Sequence, residues 1–261
     1  RWGMRGSEDL GGGLKAVFQI EAGLSLNTGA LGQGGLGFGR QAYVGLAGGF
    51  GAIRAGRQYS PMDDIASVIG TKTYDVLSVV PIIGNGDYNR VDNAITYVSP
   101  TIANTVFQLQ YSLGDERVST NPSADFGKQV SGHALYAQGP WTLGLSLMQV
   151  ADADGALAGK QGRDALLFVG AYDFGPVKLT GYYDVEDKAV EKLKLLGVAA
   201  AFKVGQNTVV SVGAAQAKNV NGSAAAASDD AKIYTLQATH NLSKRTALYG
   251  HVTSVSNDAA S

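Results

Sequence analysis

The feature that most narrows the fold of this chain is a residue alternation of period two that recurs along it. In "WTLGLSLMQV" (141–150), Trp141, Leu143, Leu145 and Leu147 alternate with Thr142, Gly144 and Ser146. Successive side chains of a strand point to opposite faces, so this segment reads as a strand with one apolar face and one small, polar face. "VFQLQYS" sets Phe107, Leu109 and Tyr111 against Val106, Gln108, Gln110 and Ser112, and "VKLTGYYD" sets Val177, Leu179 and Tyr183 against Lys178, Thr180, Tyr182 and Asp184. "YTLQATHN" sets Tyr234, Leu236 and Ala238 against Thr235, Gln237, Thr239 and Asn241. "LLGVAAAF" and "TVVSVGAA" are apolar on both sides, and alternation leaves their inward face open. No apolar run approaches the ~20 residues of a transmembrane helix, which excludes a helical membrane protein. Two architectures remain. A water-soluble sandwich turns the apolar face to a core, and a membrane barrel turns it to lipid.

Turn signals favour the barrel. Short ones stand at 10–13, 48–51, 99–105, 139–140, 175–176, 205–207 and 243–245, each flanked by two strand-like runs, which gives fourteen strands in hairpins. The connections between hairpins are longer and polar, at 27–37, 114–128, 152–163 and 219–231. Short turns on one rim and long loops on the other suit strands of about 9–11 residues crossing an apolar band ~25 Å tall. A soluble sandwich has no reason to sort its loops by length. Aromatic residues gather near the short turns: Phe107, Trp141, Tyr172, Phe174 and Phe202. That is the position of an interfacial girdle. Trp141, Leu143, Leu145 and Leu147 are thus expected to touch lipid, with Thr142, Gly144 and Ser146 lining water.

Composition excludes other classes. There is no Cys, so disulfide scaffolds and thiolate metal sites are ruled out. Basic and acidic residues number 21 and 22, for a net charge of -1, and no polybasic arm points to nucleic acid. "GQGGLG" (32–37) fits a dinucleotide-binding spacing but should precede a strand rather than a helix. "GALAGK" (155–160) is too short for a P-loop. His133, His240 and His251 lack metal-ligand spacing, and no acid, base and nucleophile set stands out. The chain is expected to be no enzyme and to carry no cofactor or metal.

"RWGMRGSEDLGGGLKAVFQIE" (1–21), "FGRQAYVGLAGGFGAIRAGRQYSP" (38–61), "RVDNAITYVSP" (90–100), "YDFGPVKLTGYY" (172–183) and "HNLSKRTALYG" (240–250) closely resemble the general diffusion porins of Gram-negative outer membranes, the beta-proteobacterial, neisserial-like branch above all. The resemblance covers essentially the whole chain. It implies an all-β, transmembrane antiparallel β-barrel of 16 strands, normally trimeric, whose third long loop folds inward and narrows the lumen. Against that template residues 1–261 read as a single barrel domain with about fourteen strands, a fragment lacking the first and last strands. Unpaired strand edges in lipid are costly. His240 and Val98 depart locally from the family pattern.

The connection 60–92 is the longest and contains the apolar "VLSVVPIIG", so it is expected to pack rather than to wave in solvent, and the resemblance makes it the inward-folded constriction loop. Its acids are Asp63, Asp64, Asp75 and Asp87. Of nine arginines, Arg1, Arg5, Arg40, Arg54, Arg57 and Arg90 lie in the first 90 residues. A guanidinium stays charged and is weakly hydrated enough to sit in a narrow wall. Set opposite an acidic loop, such residues create a transverse field that orients solutes and favours anions. The resemblance assigns the anion-attracting cluster to Arg1, Arg40 and Arg90. Alternation turns Arg54 inward, while Arg57 needs a rim position or a bulge at Gly56, and Arg40 likewise needs a rim position or a bulge.

The function expected is a passive, water-filled outer-membrane channel for small hydrophilic solutes and inorganic ions, weakly anion-selective, embedded in outer-membrane lipid as a homotrimer. Two alternatives share the scaffold. One is a substrate-specific channel, with Tyr43 and Tyr182 as stacking platforms in the lumen. The other is a surface adhesin or receptor acting through its long loops.

Overall fold

The structure is a computed structural model that describes residues 1–69, 90–114, 128–151, 163–188, 191–218 and 230–257. It contains fourteen strands: β1 (Trp2–Gly11), β2 (Leu14–Ala22), β3 (Gln41–Gly48), β4 (Gly51–Tyr59), β5 (Arg90–Val98), β6 (Thr105–Ser112), β7 (Gln129–Gln138), β8 (Trp141–Val150), β9 (Arg163–Asp173), β10 (Val177–Lys188), β11 (Glu191–Val204), β12 (Thr208–Lys218), β13 (Ala231–Ser243) and β14 (Thr246–Asn257). Among the described residues, one α-helix, α1 (Pro61–Ile69), follows β4, and a short 3-10 turn, Gln33–Gly35, lies between β2 and β3. The strands form one sheet in sequence order, β1 through β14, each hydrogen-bonded to its neighbours. Every expected strand is present. No helix among the described residues is long and apolar enough to cross a membrane.

Turn chemistry explains the tight ends. Between β1 and β2, Gly11, Gly12 and Gly13 all take positive φ (86, 61 and 80°), a path that a β-carbon would make costly, and the Gly11 N–H donates to Asp9 Oδ1 at 2.8 Å. The 99–105 signal resolves into a two-residue hairpin. Ala103 and Asn104 take φ of 48 and 61°, flanked by mutual Ile102 and Thr105 backbone bonds of 2.9 Å. Positive φ at both central residues matches the twist of the arms, although alanine occupies it at some cost.

Packing divides the chain into two compact units, with β1–β6 in one, β9–β14 in the other, and β7 and β8 contributing to both. In the first, Phe107, Leu109 and Tyr111 of β6 are 47, 59 and 41 % exposed, while Gln108, Gln110 and Ser112 between them are at most 6 % exposed. In the second, Trp141, Leu143 and Leu145 of β8 are exposed and Ser146 is fully buried. β10 and β13 behave alike: Leu179, Tyr183, Tyr234 and Leu236 are exposed, and Thr180, Tyr182, Thr235 and Gln237 are buried. Polar side chains inside and large apolar ones outside invert the pattern of a water-soluble protein, in which full burial of each such apolar side chain is worth about 1.5–3 kcal/mol. The two segments that alternation left open are now assigned. Leu196, Val198 and Val212 are exposed, and Leu193, Leu195, Ala215 and Ala217 lie on the buried face.

Aromatic residues cluster as the girdle reading expects. Trp141 meets Tyr172 edge-on at 4.6 Å, and Tyr172 meets Phe174 at 4.4 Å, beside the short turns of β7–β8 and β9–β10. Rings that combine apolar surface with a polar tip suit headgroup depth.

Helix α1 was not anticipated within 60–92, yet its start is written in "SPMDD". Ser60 accepts the Asp63 N–H on its hydroxyl at 3.1 Å, and Pro61 occupies the first helical position, where a missing N–H costs nothing. Asp63 and Asp64 fall in the first turn, where the helix dipole favours negative charge. Met62 and Ile65 are fully buried. The remainder of 60–92 before β5, with Asp75 and Asp87, lies outside the described residues.

Candidate functional site

The site begins with Glu21, near the end of β2. Alternation puts Gln19 and Glu21 on one face, and Glu21 sits opposite Gly3 of β1 and Gln41 of β3. Arg40 immediately precedes β3, so strand alternation does not fix its direction, which answers the parity problem posed by its position. Its backbone N–H donates to the Glu21 carbonyl at 3.0 Å, and its side-chain Nε donates to Glu21 Oε1. Arg1 comes within 4.0 Å of the same carboxylate, with its side chain 56 % exposed.

The other end of Arg40 reaches Tyr59, the last residue of β4. Arg40 Nη2 donates to the Tyr59 hydroxyl, and Arg90 Nη2, from the residue paired with Tyr59 across β4 and β5, donates to the same oxygen at 2.9 Å. The two guanidinium carbons lie 5.9 and 4.7 Å from the Tyr59 ring centroid. Arg54 is held differently, 5.3 Å from the ring of Tyr43, whose hydroxyl donates to Gln19 Oε1 at 3.1 Å.

Helix α1 brings its first-turn carboxylates to these groups. Burial and the adjacent Asp64 push the Asp63 carboxyl up to about 7, and the charges of Arg90, Arg40 and Arg1 pull it back down. Asp64 is also raised by burial, opposed by the charges of His133 and Arg54. The two neighbouring acids therefore feel different charges: Asp63 those of Arg1, Arg40 and Arg90, Asp64 those of Arg54 and His133. His133 Nδ1 of β7 lies 3.1 Å from the Pro61 carbonyl, and Gln110 Nε2 of β6 donates to the Tyr59 carbonyl at 3.0 Å. These bonds fix the junction of β4 and α1 to the buried face of the sheet.

Arg57 and Arg5 lie elsewhere. Gly56 takes φ 128°, and the β4–β5 register shifts between Gly56 and Gln58, so that Arg57 faces Asp92 and Asn93 of β5. Of the two alternatives open for Arg57, a rim position or a bulge at Gly56, the bulge is present. Its effect is to pair Arg57 with Asp92 at 2.5 Å and with the Gly39 carbonyl at 2.7 Å. Arg5 sits opposite Gln19 in register and is exposed. Glu21 and Tyr59 belong to the site without having been singled out, and His133, weighed only as a metal ligand, joins them. Alternation marks Glu21 and Gln108 as residues of the polar face; for Tyr59 no local signal existed.

Residues 1–260 match the family described as Gram-negative porin. The chain belongs to that family. Outer membrane porin protein 32 of Delftia acidovorans is 31 % identical to this porin over an alignment of 281 residues, which spans 100 % of this chain and 75 % of that protein. Major outer membrane protein P.IB of Neisseria gonorrhoeae is 35 % identical over 141 residues, 52 % of this chain and 38 % of its own. Among solved structures, the anion-selective porin from Comamonas acidovorans aligns at a TM-score of 0.82 and 30 % identity, covering 99 % of this chain and 79 % of that one. This porin is thus an outer-membrane protein with the fold of the porin barrels, and a general diffusion channel. The sandwich alternative is excluded. The family consists of channels rather than enzymes.

Proposed function

We propose that this porin passes small hydrophilic solutes and inorganic ions with a weak preference for anions, and that the preference arises where Arg1, Arg40 and Arg90 face Asp63 of α1. The carrying observation is the convergence of Arg40 and Arg90 on one neutral oxygen, beside a carboxyl that burial keeps partly protonated near neutrality. Net positive charge on a polar, confined wall raises the local concentration of anions and lowers that of cations. The similar Comamonas protein is named as anion-selective, which supports the same reading here.

In this reading residues 1–261 are one barrel domain, the connection 60–92 is the constriction, with Asp75 and Asp87 as further acids on it, and Arg54 and Arg5 extend the basic wall while Arg57 braces the rim. The porin works as a homotrimer in outer-membrane lipid. It performs no catalysis.

Reversal potentials across a planar lipid bilayer under a potassium chloride gradient test the selectivity. Chloride should permeate more readily than potassium in the parent, and Arg40→Gln or Arg90→Gln should reduce that preference. A cation preference in the parent would refute the reading. Saturable block of the current by a single solute would favour a substrate-specific channel instead.

A further inference from the structure

We propose that Tyr59 is a positioning residue for anion selectivity: its hydroxyl holds the Arg40 and Arg90 guanidiniums together without cancelling their charge and leaves its own proton free to face a permeating anion. This rests on the reading of the arginine group as the selective element and adds a residue to it.

Two guanidiniums repel each other, and each has only donors, so neither can bind the other directly. Something that accepts from both must stand between them. A carboxylate would do so at the cost of one positive charge, as Glu21 does on the far side of Arg40. A phenol adds no charge. Tyr59 takes Arg40 Nη2 and Arg90 Nη2 on one oxygen, and its ring carries both guanidinium carbons within 6 Å of the centroid, where the negative π face attracts cations.

The tyrosine is itself held firmly. Its carbonyl accepts from Gln110 Nε2 at 3.0 Å, and its backbone pairs with Arg90 in the β4–β5 ladder. With two N–H groups aimed at the phenol oxygen, its proton points away from both. Among the described residues nothing accepts that proton, so the O–H is available beside the two cations, where an anion drawn to them would meet it.

The test compares this porin with Tyr59→Phe and Arg90→Gln in planar lipid bilayers. Phenylalanine keeps the ring and removes only the oxygen. Two readouts separate charge from shape: the reversal potential in a dilute potassium chloride gradient, and the single-channel conductance at about 1 M salt, where the Debye length is ~3 Å and the current reports the bore. Tyr59→Phe is expected to lower the chloride-to-potassium permeability ratio by at least about two-fold, toward the Arg90→Gln value, with high-salt conductance unchanged. If Arg90→Gln lowers the ratio and Tyr59→Phe does not, the role of Tyr59 is overturned and the arginine reading stands. If neither lowers it, the arginine reading falls and takes this inference with it. A parallel change in high-salt conductance would show that Tyr59 shapes the passage, which also overturns the proposal.

Discussion

Gly144 of β8 is the seat of Ile65 of α1: a β-carbon at Gly144 would lie 2.9 Å from Ile65 Cδ1 and 3.1 Å from its Cγ2, with Leu135 Cδ1 at 3.6 Å. Ile65 is fully buried there, one residue after the acids that address the arginines. Any side chain at 144 must displace the helix or its isoleucine. Gly144→Val is expected to cost about 1–3 kcal/mol of stability by overpacking and to change single-channel conductance. Adding Ile65→Ala should recover part of both, because the pair shares one volume. Chemical unfolding and bilayer conductance of the two single variants and the double variant check this, and strict additivity would contradict the seat.

Selectivity should depend on pH through Asp63. Its carboxyl is raised from the ordinary value of 3.8 to about 7, so it is mostly neutral below that pH and charged above it. Raising the pH from about 6 to about 8 therefore adds a negative charge among Arg1, Arg40 and Arg90, and the anion preference should fall. Asp63→Asn, neutral throughout, should hold the low-pH preference across the range. Reversal potentials measured at both pH values decide it, and a preference that rises with pH would be the wrong sign.

The Arg57 and Asp92 pair should serve stability alone. Its side chains are 18 and 21 % exposed at 2.5 Å, so Arg57 already has a carboxylate of its own. Asp92→Asn is expected to lower stability by about 1 kcal/mol, more than a fully exposed pair and less than a buried one. The chloride-to-potassium ratio should stay at the parent value, read in the same bilayer assay.

Adjacent residues of β8 should respond in opposite ways to charge. Leu145 is 42 % exposed on the apolar face and Ser146 is fully buried on the polar face. Leu145→Arg is expected to cost about 2–4 kcal/mol if it lies near the bilayer midplane. Spin labels at the two positions in lipid vesicles provide a direct check: the label at 145 should be relaxed by oxygen dissolved in lipid, and the one at 146 by an aqueous reagent.

What the residue order determined by itself is local and periodic. A strand has a period of two, so "WTLGLSLMQV" and "VFQLQYS" declare both their faces, and Gly-rich or Pro-bearing breaks declare the turns. The start of α1 is carried by Ser60, Pro61 and the two aspartates, a signal that the reading of 60–92 as a loop passed over. Tertiary structure decided the rest. Arg40 escaped alternation because it precedes its strand, and Arg57 pairs with Asp92 where the β4–β5 register shifts after Gly56. The joining of Arg40 and Arg90 through Tyr59, and of Ile65 to Gly144, links residues far apart in the chain. Periodicity constrains only neighbours along a regular strand; contacts between distant segments are set by sheet register and packing volume, which no local pattern encodes.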